Sequence, residues 1–165
     1  MTTETFLEEL FLQLPPVTID GKEYPVNFEW GSQDDLNLFM VQKTGNKYPL
    51  IWLVQDREHH VKQETDRPIK LILAVNSKHK TNRNPTVWKT EFREVLDPLL
   101  ENVKIAFKRN GVSRAKDEEF YVYREANYSE DEKTKTIDHW NVITLEFNLF
   151  FDGVNQCINT INFNL

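Results

Sequence analysis

Apolar residues at Phe6, Leu7, Leu10, Phe11 and Leu14 share one face at helical spacing, which predicts an amphipathic helix over Thr3 to Leu14. Pro15-Pro16 ends it, because proline offers no N–H and restricts the residue before it. Asp20-Gly21 is a hairpin signal, and Tyr24, Val26, Phe28 and Trp30 then alternate as a half-buried strand does. Ser32 stands three residues before Asp35, an approximate capping pattern, and Leu36, Phe39, Met40 and Lys43 follow at helical spacing up to a stop at Gly45. Leu50 to Gln55 and Ile69 to Val75 are apolar runs of strand length, with Pro49 tolerable at the first one's entrance. The polar stretches Asp56 to Arg67 and Asn76 to Arg83 read as loops.

Asn84-Pro85 opens the longest helix, with asparagine as cap and proline at the first helical position. Trp88, Phe92, Val95, Leu96, Leu99, Leu100, Val103 and Phe107 hold one apolar face as far as Asn110-Gly111, a run of about 37 Å if unbroken. Pro98 is expected to kink or split it. The segment Gly111 to Thr136 is charged, with one strand expected in EEFYVYREANY and a loop in SEDEKTKT. The densest apolar stretch, DHWNVITLEFNLFF, alternates cleanly. Ile143, Leu145, Phe147, Leu149 and Phe151 share one face, and Thr144, Glu146 and Asn148 the other. It is a strand of an antiparallel-looking sheet with one face on the core. Asp152-Gly153 turns the chain, and Cys157 to Phe163 is expected to return as a terminal strand.

Composition narrows this to one folded domain spanning 1–165, with charged loops near 56–67, 76–83 and 126–137. A chain of 165 residues with 39% hydrophobic and 12% aromatic content is long enough to bury a core unaided. The single Cys157 excludes an internal disulfide and suits a reducing compartment. MTTETFLEEL carries acids where a signal peptide has lysine or arginine, and no apolar run reaches the roughly 20 residues of a membrane-spanning helix. A net charge of −6 argues against general nucleic-acid binding.

Candidate chemistry is sparse. Asp56, Glu58, His59 and His60 are the best metal-ligand group, but adjacent histidines point apart where zinc motifs place two on one face, so a solvated loop is expected. His139 lacks an identifiable nucleophile partner. Cys157 has neither a nearby histidine nor a CxxC partner and reads as a buried thiol. The glycines form no phosphate-cradling pattern. Asp34-Asp35 and Glu118-Glu119 suit capping and solvation better than magnesium binding, and Lys78, His79, Lys80 and Arg83 suit a solvated loop. No catalytic, cofactor-binding or metal-binding residue is assigned, and no cofactor is expected.

The order of elements carries more information. An N-terminal helix and a hairpin strand precede KYPLIWLV and IKLILAV; an Asn-Pro-capped helix carrying VLDPLLENV and then DHWNVITLEF follow. This order resembles the neck and tail-completion proteins of tailed bacteriophages, above all the tail terminators, in versions from phages of Bacteroidota hosts. The resemblance covers roughly residues 1 to 152. Tyr48, Pro49, Leu50, Ile51 and Trp52 resemble the family's first central strand. Leu96, Asp97, Pro98 and Leu99 resemble its proline-broken helix, and Asp138, Trp140, Leu145 and Phe147 its late strand. The charged segment Gly111 to Thr136 has no counterpart.

The resemblance implies an α+β fold: an antiparallel or mixed sheet of about four to six strands, with the N-terminal helix and one long, proline-interrupted helix on one face. It implies a non-enzymatic virion subunit, made in the host cytoplasm, whose copies form a ring, typically a hexamer and alternatively a dodecamer. The ring would cap the tail tube or, as a connector or adaptor, join it to the head. Its other partners would be neck or tail-tube proteins, with DNA passing through the lumen without specific binding and no membrane involved. Ring closure needs two different complementary patches. The expected interface residues are Trp140, Val142, Glu146 and Phe150, packed either against a neighbouring subunit or under a helix of the same domain. Two other classes stay open: a small binding or inhibitor protein using a sheet edge, and a metal-dependent nuclease built on Asp56, Glu58, His59 and His60.

Overall fold

Residues 2–42, 45–55, 66–77, 85–115, 119–126, 128, 139–151 and 157–163 are described by a computed structural model of the chain. Helix α1 (Thr3–Phe11) begins where Thr2 Oγ1 accepts from the Thr5 N–H at 3.2 Å, satisfying one of the donors a helix start leaves open. It ends earlier than its apolar face suggests. Gln13 and Leu14 donate to carbonyls three residues back, a tighter turn that delivers the chain to Pro15 with Leu14 still buried.

Strands β1 (Val17–Ile19) and β2 (Lys22–Tyr24) form the expected hairpin. Asp20 (φ 52°) and Gly21 (φ 74°) both occupy the left-handed region, as a two-residue type I′ turn requires. The strand expected to continue from Tyr24 through Trp30 is instead broken at Pro25, which cannot donate to a ladder. β3 (Asn27–Gly31) leaves the hairpin and joins the main sheet.

Helix α2 (Gln33–Gln42) opens with a reciprocal cap. Ser32 Oγ accepts from the Asp35 N–H at 3.3 Å, and Asp35 Oδ2 accepts from the Ser32 N–H at 2.7 Å. This helix is the crossover between β3 and β4 (Leu50–Val54), which pair in parallel and so cannot be joined by a tight turn. β5 (Asp66–Ser77) is longer than its apolar run, taking Asp66, Arg67, Asn76 and Ser77 from segments that read as loops. The remainders of those loops lie outside the described residues. β5 pairs antiparallel with β8 (His139–Phe151) along its whole length, from Asp66 opposite Phe150 to Ser77 opposite His139.

The sheet runs β3-β4-β5-β8, and the far edge of β8 is shared by β6 (Ser113–Ala115) and β7 (Tyr121–Glu125), both antiparallel to it. β6 had no sequence signal, being three residues with no alternation. The result is the expected α+β arrangement with a mixed sheet.

Its first face is covered by α1 and by one long helix made of three consecutive segments, Pro85–Val87, Trp88–Leu96 and Asp97–Arg109. The break expected at Pro98 is a change of winding instead. Trp88–Leu96 is π-helical, with the Asp97 N–H bonding the Phe92 carbonyl five residues back. Pro98 then occupies the first turn of the α segment, where a missing N–H costs least. Phe107 sits between the layers, edge-on to Phe11 at 5.9 Å and to Phe147 at 4.7 Å.

Glu4 ties α1 to the sheet, its Oε1 accepting from Gln55 Nε2 at 3.1 Å and Arg67 Nη2 at 3.0 Å. Burial acts to raise the Glu4 pKa. The hydrogen bonds from its own backbone and Gln55, together with the Arg67 charge, outweigh that and hold it below the usual 4.5. A carboxyl depressed in the folded state stabilises fully above its unfolded pKa and loses that contribution as pH falls through the lower folded value. Urea unfolding of the native chain should therefore weaken through the acidic carboxylate range more steeply than that of Glu4→Gln. Parallel pH profiles would remove Glu4 as a source of acid sensitivity.

Residues Cys157 to Phe163 do not form the expected terminal strand, and Cys157 is exposed rather than buried. The segment is clasped by side chains. Gln13 Nε2 donates to the Asn159 carbonyl at 3.3 Å while Gln13 Oε1 accepts from the Ile161 N–H at 2.9 Å. Arg109 Nη1 donates to the Asn162 carbonyl. Ile161 is thereby pressed into the first-face core.

Candidate functional site

Alternation along β8 and its neighbours gives the sheet a second face, part of which is packed and part open to water. Leu36 and Phe39 of α2 pack on it, with the Phe39 ring 5.8 Å from that of Trp52. Leu36, Leu50, Trp52, Ile72, Ala74, Trp140 and Val142 form a second core together with Tyr48 and Tyr128. Beyond it the face is open. Lys70 and Glu146, opposite one another in the β5–β8 register, form an ion pair at 2.9 Å with side chains 47% and 39% exposed. Pro68 and Asn148 are exposed beside them, and Phe150 is half-buried. On β7, Tyr121 pairs with Glu146 and Tyr123 with Thr144, which puts both rings on this face at 57% and 52% exposure.

The four interface residues expected from the sequence do share this face, but burial divides them. Trp140 and Val142 are completely buried within the chain. The Trp140 ring stacks on Tyr128 (6.5 Å, 9°) and meets Tyr48 edge-on at 6.2 Å. They are packed inside the chain, with Tyr48 and Tyr128 beside the Trp140 ring, and so present nothing to a neighbour. Glu146 and Phe150 lie in the open half. Tyr121 and Tyr123 were missed as surface residues. Their alternation in EFYVYRE marks a strand, but which sheet edge that strand occupies depends on pairing with β8.

A second polar group lies at the other end of β5 and β8. Ser77 Oγ donates to Glu91 Oε1 at 3.1 Å and Asn141 Nδ2 donates to Glu91 Oε2. Both carboxylate oxygens are thus used to pin the π-helical segment to two neighbouring strands, with Ser77 and Asn141 buried. His139, opposite Ser77 in the register, is half-buried at the strand start. Asp34 and Asp35 stand in the first turn of α2, where acids favour the helix dipole.

Asp56, Glu58, His59, His60, Lys78, His79, Lys80, Arg83 and Glu118 lie outside the described residues. Among the described residues, no group of three or more histidine, cysteine, aspartate or glutamate side chains is placed to hold a metal ion, and no helix is long and apolar enough to cross a membrane. Compared with protein-family models, with curated proteins and with solved structures, the chain matches none.

Proposed function

We propose that this chain is a ring-forming structural subunit of a tailed-phage virion, a tail terminator that caps the tail tube, or a neck ring joining tube to head. The observation that carries the reading is the open half of the second sheet face, where Tyr121 and Tyr123 stand more than half exposed on a strand anchored to β8. Tyrosines held on rigid backbone are favoured anchors for protein contacts, since they bring large area at little entropic cost. The order of elements supports the same reading, as does the net charge of −6, which would keep a DNA duplex from adhering to the lumen of an assembled ring.

Native mass spectrometry over a concentration series tests this. A discrete six-fold or twelve-fold species is expected; a monomer at every concentration, with tail-tube subunits added as well as without, would overturn the reading. Tyr121→Lys combined with Tyr123→Lys should weaken assembly roughly thirtyfold, the loss of about 2 kcal/mol that marks a dominant contact. The melting temperature should stay near that of the native chain, because both rings are on the surface. Unchanged assembly in that variant would remove the open face from the interface.

A further inference from the structure

The sheet ends in β3 on one side and in β6 and β7, one after the other along β8, on the other side; no other strand among the described residues pairs with the outer edges of β3 and β7. β3 and β7 are each five residues long. The ladders show which backbone groups these edges present. The Asn27 N–H bonds the Pro49 carbonyl, and the Gln55 N–H bonds the Gly31 carbonyl. Asn27, Glu29 and Gly31 therefore turn their amides toward β4, and Phe28 and Trp30 turn theirs outward. Following the alternation through the paired registers of β4, β5 and β8, Tyr121, Tyr123 and Glu125 bond to β8, and Val122 and Arg124 face outward. Outward-facing N–H and C=O groups of this kind are a template for another strand.

We infer that the ring proposed above closes by antiparallel pairing of the β7 edge of one copy with the β3 edge of the next, so that the sheet continues from subunit to subunit. The inference rests on the ring reading and names the partner surface within it. Strand directions decide the sense of pairing: β3 and β4 run one way, β5 the other, β8 back again, and β7 opposite to β8. A copy added in the same orientation brings its β3 antiparallel to β7. Matching the two strands over their full length sets Glu29 opposite Tyr123, Phe28 opposite Arg124, and Trp30 opposite Val122. Glu29 then offers a carboxylate to a tyrosine hydroxyl, and Arg124, whose guanidinium donates to Asp97 Oδ1 of its own subunit at 2.6 and 3.1 Å, comes beside the Phe28 ring. No like charges meet within these three pairs. The contact joins two different patches, the heterologous kind that generates a closed ring when its rotation permits.

Glu29 and Tyr123 would be a non-hydrogen-bonded antiparallel pair, whose Cα atoms come to about 4.5 Å, within the range a disulfide spans. Within one subunit the two positions lie on opposite sheet edges, about 19 Å apart at the usual strand spacing, so they cannot bridge internally. The test is the full chain with Cys157→Ser, Glu29→Cys and Tyr123→Cys, reduced and raised to a concentration where native mass spectrometry of this variant itself shows oligomer, then oxidised and run on a non-reducing denaturing gel. A ladder of covalent multimers that needs both cysteines is expected, from reduced protein that melts like the native chain. A non-covalent ring that yields only monomer bands would overturn the edge pairing while leaving the ring reading standing. Dimers formed equally by Tyr123→Cys alone would also overturn it, in favour of two β7 edges meeting on a two-fold axis. Absence of any oligomer of the unsubstituted chain by native mass spectrometry would remove both.

Discussion

Trp140→Ala is expected to destabilise the fold by about 3–5 kcal/mol, the usual cost of truncating a fully buried aromatic side chain. Trp140 has no exposed surface and is packed against Tyr48 and Tyr128 in the second core. The loss combines the apolar transfer of the indole with a cavity that the two packed tyrosine rings cannot collapse to fill. Against the roughly 5–15 kcal/mol that holds a typical domain together, it is a large share. Urea unfolding of the monomer, compared at equal slope, measures it. A loss below about 1 kcal/mol would mean that the second core is looser than its packing implies. The result bears on assembly too: a Trp140→Ala variant that fails to form rings would report on folding. Charge reversal at Glu146 probes the surface more cleanly, since its exposed pair with Lys70 contributes at most about 1 kcal/mol.

Asn110→Ala is expected to cost about 3–5 kcal/mol through a different mechanism, the stranding of buried backbone groups. Asn110 is fully buried where the long helix ends. Its Oδ1 accepts from the Val112 and Ser113 N–H groups, both at 2.7 Å, while its Nδ2 donates to the carbonyls of Phe107 (2.8 Å), Ser113 (2.9 Å) and Ala106 (3.2 Å). One side chain therefore closes the helix C-terminus and builds the turn into β6. The Asn110 carbonyl also accepts from the Asn159 N–H at 2.9 Å, joining this turn to the C-terminal segment.

Gly111 follows in the left-handed region (φ 75°), and a Cβ there would meet the Asn159 amide at 2.2 Å, so the turn has little room to rearrange. Asn110→Asp should not rescue stability, because it keeps the acceptor but sets a carboxylate against three carbonyl oxygens. Chemical denaturation of both variants checks this. An aspartate variant as stable as the native chain would show that the donor side of the network is dispensable.

Periodicity alone located most elements, because a helix or strand with one buried face writes its period into neighbouring residues. The faces of α1, of the long helix and of β8 were all legible in this way, as were the Asp20-Gly21 turn and the Ser32–Asp35 cap. These depend on interactions within a few residues. Misreadings arose where a distant partner decides the outcome. β5 extends past its apolar run because β8 pairs with it as far as Ser77. Cys157 to Phe163 is held by Gln13, Asn110 and Arg109 rather than by a ladder. The apolar content of that segment suited a strand, and nothing nearby in the chain announces the clasp.

The candidate surface divides in the same manner. That Trp140, Val142, Glu146 and Phe150 share one face follows from two-residue alternation and needs no fold. Which of them water reaches is a property of tertiary structure, because Trp140 and Val142 are packed with Tyr48, Tyr128 and neighbouring strands while Glu146 and Phe150 keep exposed surface. The exposure of Tyr121 and Tyr123 likewise required β7 to take an outer edge of β8. Local sequence determined where the chain turns, winds or extends and which side chains point the same way. Long-range packing alone decided which shared face became core and which stayed surface, because burial depends on what lies opposite and no residue encodes its own cover.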